Sequence, residues 1–206
     1  MRSEELNMSV LTEALEQLTA WINQHHPKLA KSLRPGLTTE EIDNQSQTLP
    51  FQLSQEIREL YQWSNGCKIF RTPYYLDEML NFVPLQKAIQ YTQPSEAGHI
   101  SDKLKIPGFF MFSEFERWVH FAVCDGNNTS PVLVVTDDPD TRLAYTSITS
   151  MVLLTLECYE KEIFHVGQYG FFVLNQALAN DFKSCREKYN LMFNQESIRQ
   201  KYNITI

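Results

Sequence analysis

At 206 residues, with 43% hydrophobic and 12% aromatic residues, the chain is long enough for one sizeable core and short for two independent ones. Its formal charge of -7 argues against nucleic acid as a direct ligand, because phosphate binding needs clustered Lys and Arg to displace counterions. An acidic balance of this size either favours a basic partner or, as is ordinary for soluble small domains, merely serves solubility.

Val10, Leu11, Ala14, Leu15, Leu18, Trp21 and Ile22 recur at helical spacing. They predict an amphipathic first helix of about five turns, limited by Pro27. Residues 33–47, with Pro35-Gly36 and several polar amides, read as a connection containing one helical turn at 39–42, capped by Thr38 or Thr39. In residues 49–66, LPFQLSQEIRELYQWSNG, Pro50 suits the first turn of a helix, where its missing N–H has no partner. Leu53, Ile57, Leu60 and Tyr61 then share one face, and Asn65-Gly66 stops the helix with two residues that tolerate positive φ. Residues 70–82 are irregular, 85–91 form a short helix and 93–102 a polar loop.

From Phe109 the pattern changes to strands at 109–115, 118–124, 132–136 and 142–145. They are separated by Glu116-Arg117, Asp125-Gly126-Asn127-Asn128 and Asp137-Asp138-Pro139-Asp140, which predicts a mostly antiparallel meander. Val119, Phe121 and Val123 alternate with His120, Ala122 and Cys124, as expected where one sheet face is packed more heavily than the other. Ser147 is placed to cap a helix running to about Lys161. A last helix over 175–188 puts Leu174, Ala177, Leu178, Phe182 and Cys185 on one face. Helices at both ends of a central meander give an α+β fold, read as a single domain over 1–206.

No apolar leader occupies the first thirty residues, which carry Glu4, Glu5, Glu13 and Glu16. No later segment supplies the ~18 uninterrupted apolar residues of a membrane span. A cytoplasmic protein without membrane contact is expected. Cys67, Cys124, Cys158 and Cys185 lack metal-ligand spacing and read as reduced, structural thiols.

The chain carries few candidates for chemistry. Adjacent histidines such as His25-His26 point about 100° apart on a helix and suit one ion poorly. The Asp137, Asp138 and Asp140 cluster has oxygen ligands but Pro139 in its middle and no EF-hand pattern, which favours a solvated turn or an acidic binding rim. Glu114 and Glu116 share a strand face, an arrangement that can raise one pKa but is usually polar surface. His99, His120 and His165 lie in unrelated contexts, and no nucleophile or phosphate-loop signature accompanies them. No catalytic, metal or cofactor-binding residue is assigned. Trp63 reads either as a core anchor or as an interface anchor, where aromatic side chains dominate binding energy.

Leu49-Pro50, the Ile57/Leu60/Tyr61 stripe, Trp63 and Asn65-Gly66 together resemble the opening signature of the SUKH superfamily, the Smi/Knr-like group. Phe82-Val83-Pro84-Leu85 with Ala88-Ile89 resembles its short strand and following helix. The segments 106–112 and 131–135 resemble later strands, and Thr146-Ser147-Ile148 the start of its closing helix. The resemblance places the family core at 49–160, with helical extensions at 1–48 and 161–206. It implies a non-enzymatic protein-binding module without cofactor. The expected role is an immunity protein that neutralises a basic, nuclease-type polymorphic toxin by direct binding. A regulator or scaffold binding an endogenous partner is the alternative. Specificity in such a family falls on surface loops, which selects Asp125, Asp137, Asp138 and Asp140, with Trp63, as candidate protein-binding residues.

Overall fold

The structure, a computed structural model, describes residues 8–67, 81–92, 108–115, 118–135, 141–166, 172–190 and 200–202. Short hydroxyl side chains set the early helices. Ser9 accepts from the Thr12 N–H at the start of α1 (Val10–His25), and α2 (Pro27–Ala30) is a single turn. Thr38 and Glu41 form a reciprocal capping box on α3 (Thr39–Ser46). The box satisfies two backbone N–H groups and, with Ile42 buried, carries this polar segment past the single turn expected of it. Ser54 caps α4 (Gln55–Trp63) by accepting from the Ile57 N–H. Pro50 therefore lies outside the helix, contrary to the expectation that it opens it: the start is set by the serine cap, which leaves Leu53 buried just ahead of the first turn.

The sheet runs in the order β1 (Asn81–Phe82), β2 (Phe109–Phe115), β3 (Trp118–Val123), β4 (Val132–Val135), β5 (Thr141–Tyr145), every neighbouring pair antiparallel. Helix α5 (Leu85–Thr92) lies between β1 and β2 in the chain. Apolar residues populate both faces of the three central strands, so both faces are buried. Phe110, Phe112, Ala122, Cys124, Val132 and Val134 face the main core. Phe109, Met111, Phe121, Val123, Leu133 and Leu143 form a second, smaller core with Tyr202, flanked by Tyr91 and Val119. Phe109 and Phe121 stack there with ring centroids 3.8 Å apart.

Ser147 and Ser150 form the capping box of α6 (Ile148–Glu160). An antiparallel pair follows, β6 (Phe164–Val166) with β7 (Phe172–Leu174). Each strand has three residues, too few for an alternation to be read from sequence. The expected last helix is divided into a 3-10 turn at Gln176–Leu178, capped by Asn175, and α7 (Ala179–Asn190). Both α1 and α7 pack on α6. Leu11, Leu15, Leu18 and Ile22 of α1 join Met151, Val152 and Tyr159 of α6 and Phe182, Cys185 and Tyr189 of α7 in one cluster. The segments flanking 49–160 thus supply part of the main core. Among the described residues no helix is long and apolar enough to cross a membrane.

Candidate functional site

Of the residues singled out from sequence, Asp137, Asp138 and Asp140 lie outside the described residues, as does Glu116. Asp125 sits in the turn after β3, beside Gly126 at φ 90. Its carboxylate accepts from the Asn127 backbone N–H at 3.3 Å and side-chain amide at 2.8 Å, and from Lys201 and the Tyr202 hydroxyl. Burial alone would raise its pKa, but the donors from Lys201, Tyr202 and Asn127 outweigh that and hold it below the usual carboxylate value. Burial and the same carboxylate push Tyr202 up to about 12. The Asp125 side chain is 6% exposed, so its acceptor capacity is directed inward, fastening residues 200–202 to the turn beside the second core.

Trp63 ends α4 and is half-buried against the main core. Its indole N–H donates to Thr19 Oγ1 at 2.7 Å, and the Thr19 hydroxyl donates to the Leu15 carbonyl at 2.8 Å. The ring therefore joins α4 to α1. The turn that carries Asp125 meets the opposite end of α4, where the Glu56 N–H donates to the Asn128 carbonyl at 3.1 Å.

That end holds a junction that the sequence reading missed. Glu56, 5% exposed, accepts from the Ser130 N–H at 2.6 Å, the Ile148 N–H at 3.2 Å, and the Thr149 N–H and hydroxyl at 3.0 and 2.5 Å. The Ser130 hydroxyl also donates to the Val123 carbonyl and pairs with the Ser54 hydroxyl, each at 2.7 Å. A carboxylate placed on the first N–H groups of α6 meets both unpaired donors and the positive end of the helix dipole. The interaction is far from local, with partners 74 to 93 residues from Glu56. Only the clustering of Ser and Thr around 146–150 gave any signal in the sequence.

A second carboxylate node joins α6 to α7. Glu157 accepts from Lys161 and Lys188, each at 2.6 Å, from the Tyr189 hydroxyl, and from the Cys185 thiol at 3.3 Å. Partial burial would raise its pKa, yet the four donors hold it at about 2. Burial and the Glu157 charge push the Cys185 thiol upward, and Lys161 Nζ lies 3.7 Å from Cys185 Sγ.

His120 is fully buried on β3, directly opposite Ser113 of β2. Neither ring nitrogen has a hydrogen-bond partner, nor does Ser113 Oγ. Burial lowers the His120 pKa to about 3. The two side chains do not hydrogen-bond to each other, so they do not make a nucleophile and base pair. At the end of α1, Trp21 stacks with both His25 and Tyr159, with centroids at 4.5 and 5.0 Å. His26 lies beside it, its pKa lowered by burial and by His25. Among the described residues no group of three or more His, Cys, Asp or Glu is placed to hold a metal ion. All four cysteines are buried, and none is in a disulfide. No protein-family model and no curated protein matches the chain.

Proposed function

We propose that this chain is a non-enzymatic protein-binding module of the SUKH immunity type, acting in the cytoplasm by binding and neutralising a basic, nuclease-type toxin domain. The observation that carries the reading is the distribution of its negative charge. The net charge is -7, and the three most enclosed carboxylates of the junctions, Glu56, Asp125 and Glu157, are engaged inside the fold. Other acidic side chains, including Glu13, Glu16, Glu40, Glu41 and Asp43, are exposed. A surface of this sign accelerates encounter with a cationic partner and suits coverage of a basic nucleic-acid cleft. The α+β architecture supports the same reading through the resemblance carried by residues 49–160. The acidic run of Asp137, Asp138 and Asp140, between β4 and β5 in the chain, is the proposed contact.

The test is affinity capture of the tagged chain from its native cells, eluted in steps of increasing salt and identified by mass spectrometry. One dominant basic partner released by salt supports the proposal. An acidic or salt-insensitive partner, or none above background, counts against it; an endogenous housekeeping protein in that position would favour the regulator reading.

A further inference from the structure

Glu157 brings an amine and a thiol from different helices to one point. Lys161 follows the end of α6 and Cys185 lies on α7, 24 residues later. Glu157 Oε1 accepts from both, at 2.6 Å from Lys161 Nζ and 3.3 Å from Cys185 Sγ. The nitrogen and the sulfur are thereby held 3.7 Å apart, close to the separation of reacting atoms in a near-attack arrangement. Lys161 is exposed while Cys185 is buried beneath it.

From this geometry we infer that Lys161 and Cys185 are a site of oxidative cross-linking, in which peroxide converts the thiol to a sulfenic acid and the neighbouring amine traps it as a sulfenamide. In the first step the thiol and hydrogen peroxide give R–SOH and water: the O–O bond breaks, and sulfur loses the two electrons that peroxide gains. In the second, the ammonium of Lys161 loses one proton to solvent, and the amine nitrogen attacks sulfur. Hydroxide leaves with a second amine proton as water, giving R–S–NH–R′. Sulfenic acids condense with nitrogen in this way when one is held adjacent. The N–H of the product remains within reach of Glu157. The bond staples α6 to α7 across the segment that carries β6 and β7, and thiol reductants reverse it.

The raised thiol pKa and the burial of Cys185 make the first step slow at neutral pH and faster as pH rises, since the thiolate is the reactive form. Cys158, also buried on α6, is the competing trap, and its substitution separates the two outcomes.

The experiment treats the full chain with hydrogen peroxide at pH 7 and pH 9, digests it without reductant and sequences the cross-linked peptides by tandem mass spectrometry. The expected product joins Lys161 to Cys185 and is lighter by two hydrogens than the sum of its peptides. It should form faster at pH 9, disappear with dithiothreitol, persist in C158S and be absent from K161R, which keeps a cation beside Glu157. A Cys158–Cys185 disulfide, a sulfinic acid at Cys185, or an unmodified thiol after prolonged treatment would each overturn the inference.

Discussion

Glu56 closes the N-terminus of the helix that Thr149 helps to open: its carboxylate takes both the backbone N–H and the hydroxyl of Thr149, at 3.0 and 2.5 Å. The same side chain accepts from Ser130 on the far side of the junction. Glu56 therefore joins α4, the segment before β4 and α6 at one buried point. Glu56→Ala leaves these donors without an acceptor and should destabilise the chain by about 3–5 kcal/mol. Glu56→Gln keeps the shape but turns one amide group toward donors, at a cost of about 2 kcal/mol. Urea unfolding of both variants, with circular dichroism as the readout, checks the order and the size of the two losses.

His120 makes stability depend on pH in a defined direction. Its folded pKa of about 3 lies below the unfolded value of about 6.5, so the unfolded chain binds more protons between these limits. The contribution is complete above the unfolded pKa and is lost as pH falls toward the folded one. Between pH 7 and pH 5 the wild type should lose about 2 kcal/mol more than His120→Phe, which has nothing to protonate there. Parallel unfolding curves for the two proteins over this range would contradict the assignment. At pH 7 the Phe variant should be at least as stable as wild type, because it removes two buried nitrogens that have no partner.

Asp125 and Tyr202 fasten the second core. Tyr202→Phe removes the hydroxyl donor and should cost about 1 kcal/mol. Tyr202→Ala also uncovers part of the Phe109, Phe121 and Leu133 surface and should cost about 3 kcal/mol with increased binding of a hydrophobic dye. Asp125→Asn should weaken the same attachment. The Asp125 contribution is present above the ordinary carboxylate range and fades as pH falls through and below it, because the folded pKa is the lower one.

Trp63 should behave as a joint between helices. Trp63→Ala removes a half-buried ring and its bond to Thr19, for about 2–3 kcal/mol. A double-mutant cycle of Trp63→Phe with Thr19→Val should return a coupling of about 1 kcal/mol, the size of one hydrogen bond. Zero coupling would place the ring's contribution in packing alone.

The α+β class was legible in the chain because its signals are local. Apolar runs separated by turn clusters mark β2 through β5, and the spacing of Leu11, Leu15, Leu18 and Ile22 marks α1. Ser147 reads as a cap from its place just ahead of the helix, and the structure pairs it with the Ser150 N–H, three residues away. The same locality explains the misses. Glu56 carries no local signal, since its donors lie far along the chain. Pro50 resembled a helix opener, but Ser54 provides the cap. The β6 and β7 pair was too short to show a period. Asp125 reads as a surface-loop residue, and nothing near it in sequence points to Lys201 or Tyr202. The burial of His120 was hidden because alternation gives a residue's face and not what covers it.

The most direct measurement of the proposed role is survival of cells that express the basic partner recovered by salt-eluted capture, with and without this chain. The account predicts that cells survive only when the chain is present, and that charge reversal at Asp137 and Asp138 abolishes protection while leaving the melting temperature unchanged. Equal death with and without the chain would contradict it.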